Sequence, residues 1–138
     1  MNGSKEKSVT VFSKTAFKDS GSVVSHFKSK LKDGMTMDNH GDVWEMEHTI
    51  PCHWYDHTDP DDVIRCWDPK NMSCMLKRDN WSKGVDIPAD DVLMAVGPAN
   101  WPKSWNGQIP DKEKLRAEFV ANRARKSVEA RHVRTVTP

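Results

Sequence analysis

Hydrophobic positions along the chain fall into short runs of different period, and each run predicts a different element. Val23, Val24, Phe27 and Leu31 recur at helical spacing and stop at Gly34, which predicts a short helix. From Val43 to Ile50 the chain alternates, with Trp44, Met46 and His48 on one side and Glu45, Glu47 and Thr49 on the other. Ending at Pro51, that run predicts a strand whose last residues are Glu47 and His48. Cys52 to Asp68 carries Asp56, Asp59, Asp61, Asp62 and Asp68 with Pro60, and reads as a surface loop with a turn of helix from Asp61 to Cys66. Asn71 to Leu76 predicts a second extended segment, and Lys77 to Asp86 a short helix with Gly84 near its end. The expected order is strand, loop, strand, helix.

Beyond Pro88 the period is lost. Val92 to Val96 is apolar, but Gly97 to Pro110 is rich in turn residues, so 88–110 reads as a connector whose Trp101 and Trp105 are open to stacking on a base or a partner. Trp44, Trp67 and Trp81 are instead expected to fill the core. Asp111 is a plausible N-cap, and Leu115, Phe119, Ala124 and Val128 form the stripe of one helix ending near His132. At the other end, 1–22 is a basic arm in which Val9 to Phe12 is the one apolar patch.

Composition narrows the class. At 138 residues, with 36% hydrophobic and 30% charged, the chain has the material for one small core and excludes a multidomain enzyme. No apolar stretch reaches membrane-spanning length and 1–19 lacks the core of a secretory signal, so a soluble intracellular protein is expected.

The formal net charge of +1 conceals a division into thirds: residues 1–40 carry +3, 41–110 carry −6 and 111–138 carry +4. An acidic centre between basic arms suits a cation in the middle and a polyanion along the arms. On the last helix Arg116, Arg123, Arg125 and Lys126 are placed to follow a phosphate backbone, although a solvated helix face explains them equally well. The three cysteines, Cys52, Cys66 and Cys74, contain no CxxC pair and read as reduced, packed thiols. A zinc cluster of Cys52, His53 and His57 lacks a fourth ligand in register, so no structural zinc is expected.

The candidate chemistry lies in the acidic third. Glu47 beside His48 sets a hard oxygen ligand next to an imidazole that titrates near neutrality. Asn71 follows His48 by 23 residues, and Asn80 comes nine later on the predicted helix, where its carbonyl oxygen can share a cation with Glu47. Magnesium keeps several waters, so two protein ligands suffice and positions remain for a phosphate. His48 then stays off the metal and serves as base.

These residues carry a resemblance. Gly34-Met35-Thr36-Met37-Asp38-Asn39-His40-Gly41, Trp44-Glu45-Met46-Glu47-His48-Thr49-Ile50-Pro51-Cys52, Cys66-Trp67, Asn71 and Asp79-Asn80-Trp81-Ser82-Lys83-Gly84 together resemble the HNH nuclease family. The likeness is to the version common in phages and large DNA viruses, whose third signature residue is Asn, and it spans about residues 23–87. It implies an α+β fold, the small ββα-metal or His-Me finger, with flanking helices and basic, partly extended arms. It further implies that His48 activates water, that Glu47 and Asn80 hold one divalent ion (Mg²⁺, with Mn²⁺ as a substitute), and that Asn71 braces the loop orienting the histidine. Lys83 falls where a basic residue contacts phosphate.

The expected reaction is hydrolysis of DNA phosphodiester bonds, leaving 5′-phosphate and 3′-hydroxyl ends. One small site predicts nicking unless the protein forms a homodimer or joins a larger assembly. Position 47 is Glu where the family most often has Asp, and Cys74-Met75 stands where Pro-Leu is common. The longer acid leaves a second reading open: a catalytically silent HNH-fold subunit that is structural or binds nucleic acid.

Overall fold

A computed structural model describes residues 19–136. Contacts divide the chain into two units, one running to Gln108 and the other beginning at Ile109. The first opens with α1, Ser20–Lys30. Asp19 caps it by accepting from the Ser22 N–H at 2.8 Å, so the helix begins three residues before the apolar run that predicts it. The expected arm otherwise lies on residues outside those described.

The strands β1, Trp44–His48, and β2, Met72–Leu76, form a two-stranded antiparallel sheet in which Trp44 faces Leu76 and His48 faces Met72. A hairpin this small needs cover. Phe27, Met35, Trp44, Met72 and Cys74 form the buried core beside it, with Val23, Leu31, Trp67 and Leu76 packed against them. The ring of His26 on α1 and the ammonium of Lys32, two residues past its end, bond the carbonyls of Met72 and Cys74 on β2. The Trp44 indole N–H donates to the Thr36 carbonyl at 2.6 Å, which anchors the turn before the strand.

Two more helices complete the frame of the site. α2, Pro60–Cys66, is capped by Asp59, which accepts from the Asp61 N–H, and has Pro60 in its first turn, where a missing N–H does no harm. α3, Lys77–Lys83, follows β2 directly and ends at Gly84, whose φ of +53° a residue with a Cβ rarely adopts. The coarse class is therefore α+β, in the order strand, loop with helix, strand, helix.

Several expectations need correction. Met46, assigned to the apolar side of β1, is 43% exposed, whereas Glu47 on the acidic side is buried. The five-residue strands give α1 only a small face to cover, and α3 lies over the other one. The segment 88–110, read from sequence as a turn-rich connector, is packed in part. It contains α4, Asp90–Val96, and buries Leu93, Val96, Trp101 and Trp105. Trp101 donates its indole N–H to the Leu93 carbonyl at 2.8 Å, so neither it nor its neighbour Trp105 offers a face for stacking.

The aspartate-rich loop holds this segment in place. Asp62, only 2% exposed, accepts the Asp56 N–H at 2.6 Å and the Lys103 N–H at 2.9 Å, Arg65 donates to the Trp101 carbonyl, and the Tyr55 hydroxyl donates to the Asn100 carbonyl. Burial raises the Tyr55 hydroxyl well above its usual pKa. Trp81, expected in the core, is 70% exposed.

The second unit is α5, Lys112–Val136, with Asp111 accepting from the Lys114 N–H at 3.1 Å as expected of its cap. Arg116, Arg123, Arg125 and Lys126 are exposed on it, and Arg125 bonds Asn122 one turn back. Val120 and Val128 are exposed as well. No helix among the described residues is long and apolar enough to cross a membrane.

Candidate active site

Chain direction decides which side chains meet at the end of the hairpin. α3 leaves β2 and runs beside β1 in the same sense, its Lys77 N–H bonding the Val43 carbonyl. One turn on, the Asn80 amide donates to Glu45 Oε1 at 3.5 Å. After a further turn, Lys83 Nζ reaches Glu47 Oε2 at 3.0 Å, the His48 carbonyl at 2.8 Å and the Thr49 carbonyl at 2.9 Å. All three ammonium donors are thereby used. Glu45 and Glu47 share the face beneath α3 because side chains two apart on a strand point the same way. Among the described contacts the helix thus pairs Asn80 with Glu45 and Lys83 with Glu47.

Lys83, for which a phosphate contact is expected, here places its ammonium on Glu47 and two backbone carbonyls. Its ammonium is held by protein oxygens, with side-chain exposures of 16% for Lys83 and 8% for Glu47. Glu45 is the acid the sequence reading left out, although its place two residues before Glu47 is the signal for it.

His48 lies on the other face of β1, at its C-terminal end. Its Nδ1 is 3.0 Å from the Cys66 carbonyl oxygen. A carbonyl only accepts, so Nδ1 carries a proton, and whenever the ring holds a single proton the lone pair is on Nε2. Trp67 meets the imidazole edge to face, 4.6 Å between ring centres.

Asn71 fixes the carbonyl that fixes the histidine. Fully buried, it accepts from the Ile50 N–H at 2.7 Å and donates to the carbonyls of Ile50 at 3.2 Å and Cys66 at 2.9 Å. Its own carbonyl takes the Thr49 N–H at 2.8 Å. One amide therefore joins the end of β1, the end of α2 and the start of β2, with Cys66 O shared between Asn71 and His48.

A second group converges here that sequence spacing gave no reason to expect. Cys66 Sγ is 3.4 Å from Cys52 Sγ and 3.5 Å from His48 Nδ1, and ligand atoms of the three residues all lie within 4.8 Å of one another. The Cys66 S–H donates to Cys52, which together with the nearby His48 holds the Cys52 thiol far below its usual range, while the same bond and burial push Cys66 up. His57, weighed with Cys52 as a zinc ligand, bonds the Cys52 backbone carbonyl through Nε2. Cys74 is a buried thiol apart from the group, in contact with the Phe27 carbonyl.

Trp81 stands on the exposed side of α3. With Asp42, Val43, Leu76, Lys77 and Arg78 it lines an open groove of about 410 Å³, and Lys77 Nζ lies 5.3 Å from the indole centre.

No protein-family model matches the chain, and no solved structure matches it. Two uncharacterized proteins of Acanthamoeba polyphaga mimivirus are similar to it, at 30% and 28% identity over 63 residues. Each match takes in 46% of this chain and 28% of the viral protein, so the chain corresponds to well under half of either relative.

Proposed function

We propose that this protein is a divalent-metal-dependent endonuclease of the HNH type, built on a ββα-metal finger, that hydrolyses DNA phosphodiester bonds. One observation carries the reading: the Asn71 amide and the Cys66 carbonyl together hold the His48 proton on Nδ1, which leaves Nε2 as a base at the end of the hairpin. A neutral imidazole oriented in this way takes a proton from water as the water attacks phosphorus, and such assistance is worth about 10²- to 10⁴-fold in rate.

Glu47 and Asn80 are the residues that would hold the ion. Glu47 offers a hard carboxylate oxygen, and the Lys83 ammonium on Oε2 marks where a positive charge is held against it. Magnesium or manganese bound there would supply positive charge to a phosphate oxygen and to the leaving oxygen. Lys83 must yield part of its hold on Glu47 or share the carboxylate. Arg116, Arg123, Arg125 and Lys126 on α5 supply phosphate contacts, and the groove at Trp81 with Lys77 and Arg78 supplies a stacking surface near the helix that bears Asn80.

The same ion pair supports a second reading, a silent HNH-fold subunit in which Lys83 permanently takes the place of the ion. Supercoiled plasmid separates the two. With Mg²⁺ or Mn²⁺ the wild-type protein is expected to nick it, and His48→Ala to do so at least about 100-fold more slowly while still binding DNA. Salt-sensitive binding with no nicking under either ion would reject the nuclease and leave the silent subunit.

A further inference from the structure

The Cys52, Cys66 and His48 cluster is built differently from the oxygen-lined face under α3, and its chemistry selects a different ion. Thiolate and imidazole suit zinc, whereas magnesium takes oxygen. A zinc ion with bonds of about 2.3 Å to sulfur and about 2.0 Å to nitrogen, at tetrahedral angles, holds its sulfurs about 3.8 Å apart and sulfur from nitrogen about 3.5 Å. The distances here are 3.4 Å between the sulfurs and 3.5 Å between Cys66 Sγ and His48 Nδ1. The three donors come from separate elements, the end of β1, the turn at Cys52–Trp54 and the end of α2, so folding and not sequence proximity brings them together. Cys66 is fully buried, while Cys52 and His48 are half-buried and give the cluster an open side for an ion and a fourth, water ligand.

We infer that His48, Cys52 and Cys66 form a three-ligand site for Zn²⁺, and that zinc bound there switches off His48 as a base. On binding, each sulfur coordinates zinc as the thiolate, and any proton a thiol still carries leaves to solvent as its sulfur–hydrogen bond is replaced by a zinc–sulfur bond. Nδ1 gives up its bond to the Cys66 carbonyl and donates its lone pair to zinc, so the single proton of the neutral ring is carried on Nε2. No atom changes oxidation state. An imidazole in that form has no lone pair facing water, and the site becomes an inhibitory zinc sensor set against the magnesium-supported reaction. The consequence for activity rests on the nuclease reading; the existence of the site does not.

The test has two arms on the full chain. In the first, Co²⁺ is added as a spectroscopic stand-in for zinc. A thiolate-to-cobalt charge-transfer band is expected to saturate at one equivalent, to vanish on adding Zn²⁺, to persist in Cys74→Ala, and to be lost in Cys52→Ser and Cys52→Ala. Tryptophan fluorescence checks that both variants fold. Loss of one of the three ligands is expected to weaken zinc by more than about 100-fold, beyond what losing a ligand's hydrogen-bond partner costs.

The second arm measures the ratio of Mg²⁺-supported nicking with and without one equivalent of Zn²⁺, expected to fall at least about tenfold in wild type but not in Cys52→Ser. No band, or a band that follows Cys74, overturns the site. Equal zinc inhibition of wild type and Cys52→Ser overturns the switch, and so does zinc binding that leaves wild-type nicking unchanged. A band with no nicking in any magnesium or manganese buffer supports the site and refutes the nuclease reading instead.

Discussion

Replacing Asn71 by alanine removes three hydrogen bonds at one fully buried position. The Ile50 N–H, next to a side chain with no exposure, then has no acceptor, and an orphaned buried donor costs about 1–3 kcal/mol. The Ile50 carbonyl loses its donor too, whereas the Cys66 carbonyl keeps His48. With the small void left by the amide, the total comes to about 3 kcal/mol. That is about 15 °C in melting temperature for a unit of this size.

Urea unfolding followed by tryptophan fluorescence is the assay, because all six tryptophans lie between Trp44 and Trp105 and report only on the unit that holds the site. Asn80→Ala is the control, expected to cost under about 1 kcal/mol since its bond to Glu45 is long, at 3.5 Å. Asn71→Asp keeps the acceptor for Ile50 but turns a carboxylate oxygen toward two carbonyls, and is expected to lose at least as much as Asn71→Ala. If Asn71→Ala and Asn80→Ala fall together below about 1 kcal/mol, the bracing role is wrong.

Three further outcomes follow from particular contacts. Lys83→Met strips the ammonium from the buried Glu47 carboxylate and is expected to cost about 3–5 kcal/mol, with Mn²⁺ raising the melting temperature of the variant more than that of wild type; equal metal response in the two proteins contradicts Glu47 as a ligand. Trp81→Ala is expected to change stability by less than about 0.5 kcal/mol, being 70% exposed, and to weaken single-stranded DNA binding by about 1–3 kcal/mol in a filter or anisotropy assay. Unchanged affinity removes the groove from the DNA surface. The Lys103 ammonium holds the Asp59 carboxyl below its usual pKa of 3.8, so the stabilisation is present above that value and fades as pH falls through the lower folded-state value. Asp59→Asn, which keeps the helix cap, is expected to lower the urea midpoint at pH 7 and to match wild type in strong acid. A deficit constant across the pH range would contradict the ion pair as its cause.

The hairpin and the helix after it were legible because their residues obey simple periods, alternation from Trp44 to His48 and a turn-bounded helix from Lys77. A bracing place for Asn71 was an implication of the family resemblance alone; that its amide bonds the Ile50 N–H and the Cys66 carbonyl could not be read from spacing. Leu93, Val96, Trp101 and Trp105 were missed as a packed segment because Pro and Gly interrupt them and erase any period, although the buried Asp62 fastens that segment by its backbone. Cys52 and Cys66 stand 14 residues apart, and only the return of α2 toward β1 makes them neighbours. The Lys83–Glu47 pair was hidden for a different reason. A lysine next to a phosphate-binding motif and a lysine paired with a buried glutamate look the same until the helix is laid along the strand.

The most direct test of the metal assignment is an anomalous-scattering map from crystals soaked in Mn²⁺. The account predicts a peak about 2.1 Å from a carboxylate oxygen of Glu47 and from Oδ1 of Asn80, with Lys83 drawn off Oε2 and the His48 imidazole uncoordinated. A map in which Lys83 still grips Glu47 and manganese is absent from that face, or binds only at Cys52 and Cys66, would contradict it.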